Sequence, residues 1–165
     1  MSQVATQLAD QLEAVTNEFI EVVASLTPEQ WARPTESEEW TIGVVAHHVA
    51  VGYPGCGELV QALAAGIQEI PPISADQLHT GNAKHAREFA DAGQTETLEL
   101  LRRGGAALVQ EIRDLSDEQL NVTSGIFFGG EMSVRQVIER IVIGHPVSHL
   151  ASIRATLGDS AQAAG

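Results

Sequence analysis

An all-α fold, a four-helix bundle with a divalent-metal site between its helices, is predicted by three observations in this 165-residue chain. Apolar residues recur at three- and four-residue steps in almost every segment, which is the period of an amphipathic helix. Histidines lie on the inward faces of two such segments, His48 on one and His145 with His149 in H-P-V-S-H on the other. The stretches leading into those segments also echo one another: S-L-T-P-E-Q-W at 25–31 resembles D-L-S-D-E-Q-L at 114–120, and each precedes a loop and a capped helix. Two helix–loop–helix halves of this kind would project ligands from facing helices into one end of a bundle core.

The elements follow in order. Val4, Leu8, Leu12, Val15, Phe19, Val22 and Leu26 share one face and predict a first helix of about six turns, stopped ahead of Pro28. Thr41 is placed to cap a second helix that runs to about Ala65, and Gly52, Pro54, Gly55 and Gly57 predict that it kinks or divides. Ser74 and Gln77 fit a capping box that opens a third helix through Leu78, His85 and Phe89, closed by Asp91-Ala92-Gly93. Leu98, Leu101, Leu108, Ile112 and Leu115 mark a fourth. Ser133 with Gln136 repeats the capping box before Val134, Val137, Ile138 and Ile141. Only 122–128 has strand character, and Gly125, Gly129 and Gly130 in or beside it predict a long loop or a short extended piece. A single domain over 1–158 is expected, with 159–165 a flexible C-terminal tail.

Composition excludes several functions. The net charge is −13 and Lys84 is the sole lysine; the arginines are dispersed, with Arg102 and Arg103 the one adjacent pair. Nucleic acid and anionic membrane are therefore not expected partners, because both are bound first through clustered basic residues. No apolar run approaches the roughly 18 residues of a membrane span, and no basic-then-apolar leader opens the chain, so a cytoplasmic location is expected. Cys56 is the single cysteine, which rules out an intrachain disulfide.

The histidine spacing carries the chemistry. Residues four apart on a helix have Cβ atoms about 5–6 Å from each other, so His145 and His149 can share one divalent ion. His48 follows Val44 and Val45 by one turn and precedes Val51, while His145 and His149 share a face with Ile141 and Ile153; all three point inward. A lone inward histidine is satisfied by core hydrogen bonds. Three in a small domain call for a cation, and three ligands leave coordination positions open, as in catalytic rather than structural sites. Imidazole donors suit zinc or nickel. Glu36, Glu38 and Glu39 are the rival oxygen donors. His47 sits about 100° round the helix from His48, and His85 lies on the Leu78–Phe89 face; both are expected beside the ligands or at the pocket mouth. His79 has no such context. Pro146 removes a helix hydrogen bond to Val142, so the His145–His149 face survives only if the helix bends gently there. The glutamate of H-E-x-x-H is missing, which excludes a zincin-type protease.

The Trp40-Thr41 pair with His48 eight residues after the tryptophan, the later H-x-x-x-H, and a helix ending in Leu157-Gly158 together resemble the DinB-like superfamily, which includes mycothiol-dependent maleylpyruvate isomerases and related thiol transferases. The resemblance spans about residues 5–158. It implies a metal-binding four-helix bundle, often a homodimer, and gives the ligand role to His48, His145 and His149. It also implies mycothiol or another low-molecular-weight thiol as cosubstrate. Many members carry an acidic residue four positions after the tryptophan, where this chain has Val44. The expected function is thus a divalent-metal-dependent enzyme that transfers a low-molecular-weight thiol to an electrophilic small-molecule substrate. The alternatives are a metal-assisted hydrolase and a non-catalytic metal- or small-molecule-binding stress protein. No side chain stands out as the catalytic base, although His47 and His85 could serve.

Overall fold

The computed structural model describes residues 2–67, 74–127 and 130–163. Four long helices form the bundle: α1 (Gln3–Ser25), α3 (Ile42–Ala64), α5 (Gln94–Arg113) and α8 (Gly144–Ala163). Between them lie α2 (Pro28–Trp31), α4 (Ala75–Glu88), α6 (Asp117–Leu120), strands β1 (Thr123–Phe127) and β2 (Gly130–Ser133), and α7 (Val134–Val137), which a π-helical stretch Ile138–Ile143 joins to α8. The helix α8 reaches Ala163, so the segment expected to form a tail is helical up to that residue.

The helices form where the sequence supplies both an apolar stripe and a cap. Ser2 accepts from Ala5 N at 3.0 Å to start α1, whose Leu8, Leu12, Val15, Phe19 and Val23 are buried. Each such side chain contributes roughly 1.5–3 kcal/mol on leaving water. Thr41 caps α3 through Val44 N at 3.2 Å. The helix then runs from Ile42 to Ala64 with Pro54 inside it, so the expected division does not occur. Gly104 and Gly105 let α5 come close at this level, because a Cβ on Gly105 would stand 2.6 Å from Thr16 Cγ2 and one on Gly104 3.2 Å from Tyr53 Cβ. The Thr16 and Tyr53 hydroxyls are hydrogen-bonded at 3.0 Å across the α1–α3 diagonal.

Packing partners and end contacts fix the topology. The α5 helix packs on both α1 and α3, and α8 with its π-helical lead-in also packs on both. At one end of the bundle Ser2 donates to Asp117 of α6. At the other, Gln94 Nε2 donates to the Val23 and Leu26 carbonyls, and Arg33 donates to the Thr156 carbonyl of α8. The α1 and α8 helices therefore run one way and α3 and α5 the other. Two parallel neighbours, α3 and α5, require a long crossover, and that crossover contains α4. The third predicted helix thus lies outside the four-membered bundle. Among its described side chains none is fully buried, and it packs on α3.

The internal echo is structural. Thr27 with Gln30 caps α2, and Ser116 with Gln119 caps α6, by the same reciprocal pair of hydrogen bonds. Pro34 then bridges Thr41 just as Thr123 pairs with Ser133, and Ile42 N donates to Arg33 O as Val134 N donates to Val122 O, both at 2.9 Å. Where the first half has a loop, the second has the antiparallel hairpin β1–β2, with an irregularity between Ser124 and Phe127. Of the expected long loop or short extended piece over 122–128, the structure has the extended piece, a strand over 123–127 that pairs with β2; Phe128 lies outside the described residues. The Val134 N to Val122 O bond at the start of α7 closes the same end of the two strands.

Pro146 is accommodated by the π-helical stretch. A proline has no N–H to offer Val142 and its ring crowds that carbonyl; the wider turn over Ile138–Ile143 just before it relieves the crowding. The path from Val134 to Ala163 stays helical, so His145 and His149 remain one turn apart on one face.

One close approach generates a prediction. Trp31 of α2 packs against Gly43, where a Cβ would stand 2.5 Å from Trp31 Cε2, and the indole Nε1 donates to Ala92 O at 3.0 Å. Gly43→Ala should lose about 1–3 kcal/mol to overpacking, against a gain of about 1 kcal/mol in helix propensity. Urea unfolding should show a net loss in Gly43→Ala and a smaller effect of the same change in a Trp31→Ala background.

Candidate metal centre

Two helices deliver three imidazoles to one point. His48 comes from the second turn of α3, and His145 and His149 from the first two turns of α8. One nitrogen of each lies within 4.8 Å of one nitrogen of each of the others, and His48 Nε2 faces His145 Nε2 at 3.0 Å. The rings meet edge to face, with centroids 4.9 Å (His48–His145), 5.3 Å (His48–His149) and 4.7 Å (His145–His149) apart. An ion bonded at about 2.0–2.1 Å to two imidazoles holds their nitrogens roughly 3.0–3.4 Å apart, so the His48–His145 separation suits a shared divalent cation.

The protonation states suit it as well. Burial, then the neighbouring His145, His149 and His85, pushes His48 down from 6.5 to about 3. Burial and His149 push His145 down to about 4. Both rings are neutral at pH 7 with lone pairs available, which is the form a metal requires. The donor set thus fits the ion.

The third imidazole is oriented by a residue the sequence reading placed only among rival donors. His149 Nδ1 donates to Glu38 Oε1 at 2.9 Å, which leaves its Nε2 to face the other histidines. Ser152 Oγ donates to Glu38 Oε2 at 2.6 Å. Burial works against the Glu38 carboxylate, but hydrogen bonds from Ser152, Thr35 and His149 outweigh it and hold its pKa below the usual value. Glu38 is therefore an ionised acceptor. A carboxylate behind a ligating histidine fixes the tautomer and raises ligand basicity. The loop holding Glu38 is tightly tied: Thr35 N donates to Trp40 O at 2.8 Å, Pro34 bridges Thr41, and Glu39 takes the left-handed φ of 60° that returns the chain to Trp40. The Trp40 ring then stands edge-on to His48 at 5.7 Å.

His47 and His85 form a separate pair beside the three. His47 is buried, its Nδ1 lies 3.3 Å from His85 Nε2, and both rings pack on Phe89 at 4.3 and 4.8 Å. His85 also stands edge-on to His48 at 5.3 Å. Glu36 and Glu39 are not brought into the cluster, and burial pushes the Cys56 thiol up, away from the reactive thiolate. Sequence reasoning missed Glu38 and Ser152 as partners of His149; the run of acids before Trp40 was the one signal for the first, and none pointed to the second.

The model of the mycothiol maleylpyruvate isomerase N-terminal domain family matches residues 12–146. The chain belongs to this family. Among solved structures it is similar to YfiT from Bacillus subtilis, described as a probable metal-dependent hydrolase with an unusual four-helix bundle topology. The TM-score is 0.69 at 19% identity, over 96% of this chain and 90% of that one. No curated protein matches the chain. Among the described residues, no helix is long and apolar enough to cross a membrane.

Two outcomes follow for this family member. Glu38→Gln should weaken divalent-metal affinity by about 10–100-fold with the fold intact, read by calorimetric titration. For the metal-free protein, the folded values of His48 and His145 lie below 6.5, so the unfolded chain takes up protons first as pH falls. The melting temperature should hold above about pH 6.5 and fall steadily toward pH 4, and His145→Ala should flatten that slope.

Proposed function

We propose that this domain binds one divalent ion, zinc or nickel, through His48, His145 and His149, and transfers a low-molecular-weight thiol of the mycothiol type to an electrophilic small molecule. The observation that carries the reading is the convergence of the His48, His145 and His149 ligand atoms to within 4.8 Å of one another. When bound, the ion supplies a Lewis acid that lowers the pKa of a coordinated thiol or water. Glu38 keeps His149 in the ligating tautomer, with Ser152 and Thr35 holding the carboxylate. Trp40 backs the His48 ring, and His85 and Phe89 form the wall on the other helix. Family membership supports thiol chemistry. The second reading, metal-assisted hydrolysis by the same residues with water as nucleophile, is favoured by the likeness to YfiT. A cytoplasmic homodimer without nucleic-acid or membrane partners completes the proposal.

Protein purified without a histidine tag should contain about one divalent ion per chain by elemental analysis, and His145→Ala close to none. The loaded protein is then offered thiol with an electrophile, and separately a panel of esters and amides. Thiol consumption that His145→Ala abolishes supports the transferase; ester or amide cleavage with the same dependence supports the hydrolase. Full metal content in a folded His145→Ala variant overturns both.

A further inference from the structure

We propose that His47 Nδ1 and His85 Nε2 form a second divalent-cation position beside the His48–His145–His149 site, completed by water or by donor atoms of a substrate. The two nitrogens face each other at 3.3 Å, and the ring centroids are 5.2 Å apart with planes 25° from parallel. Two nearly coplanar imidazoles bound at a tetrahedral angle to an ion about 2.05 Å away would place their nitrogens about 3.3 Å and their centroids about 5.2 Å apart. A straight N–H···N hydrogen bond of the observed length would hold the centroids wider, at roughly 5.6 Å. The observed 5.2 Å matches the cation-bound arrangement rather than the straight hydrogen bond.

The surroundings favour that cation. His47 is held rigid by burial and by stacking on Phe89, and the same Phe89 ring fixes His85, so both donors are oriented before any ligand arrives. The carboxylates felt at the pair are Glu96 at His47 and Glu88 at His85, both negative; Lys84 reaches Glu88 at 3.6 Å on the exposed side of α4. An ion here would also serve the fold, since none of the described side chains of α4 is fully buried and the helix packs on the bundle through α3. The two positions share no donor atom, so this inference stands or falls separately from the proposed reaction.

Chelator-stripped, tag-free protein titrated with Co2+ or Zn2+ at pH 8 tests it by calorimetry. Wild type should take up two ions, the second more weakly. His85→Ala should reduce the count to one and leave the tight step unchanged. The double variant His145→Ala, His149→Ala should lose the tight step and keep the one that depends on His85. Saturation of wild type at a single ion overturns the proposal. Two ions in His85→Ala overturn it as well, since the extra ion then resides on surface carboxylates. His85 is half-buried on an outlying helix, so its alanine variant should fold, as far-UV circular dichroism will verify; His47→Gln gives the same loss from the other donor.

Discussion

Everything at the centre depends on α3 and α8 meeting closely enough to hold several basic nitrogens together while keeping them uncharged. His48 and His145 would repel each other if protonated, and burial between the helices removes the water that would stabilise either charge. The helix contact is intimate: a Cβ on Gly52 would already touch His145 Cε1 at 3.7 Å. That geometry requires α8 to stay helical through Pro146. The π-helical turn is the local concession that preserves the global one, and turns of this kind are frequent at functional sites.

The two halves of the chain solve the same folding problem twice. Each has a long helix, a four-residue capped helix, a return of the chain onto itself, and a second capped helix. The first half inserts a strained loop at the return and the second a hairpin. The difference matters, because the loop carries Glu38 back over α8, where it reaches His149. Each half thus supplies histidine to the cluster from its second helix, and the first half also supplies the carboxylate that accepts from His149.

Much of this was legible in the sequence, for physical reasons that also explain what was not. Apolar spacing reports which face of a helix is buried, so α1, α3, α5 and α8 and the inward aim of His48, His145 and His149 could be read directly. Capping boxes are local chemistry, and Ser74, Ser133 and Thr41 marked helix starts correctly. Periodicity does not say what a face is buried against, so the exclusion of α4 from the bundle and the pairing of His47 with His85 were invisible. The bond between Glu38 and His149 joins residues 111 apart, and no local pattern encodes it. The π-helical turn escaped because the conflict at Pro146 could be seen but not the particular relief the chain would adopt.

The up-down-down-up arrangement gives the metal position a mechanical meaning. His48 and His145 are 97 residues apart and belong to different halves. An ion held by both would act as a reversible cross-link that closes a loop of most of the domain. Closing a loop of about 100 residues by a covalent bridge removes roughly 4.7 kcal/mol of chain entropy from the unfolded state. A metal bond confers a comparable constraint only while the ion is present, so separation of the halves and loss of the ion become a single event. Metal availability in the surroundings would then set how long the bundle stays closed.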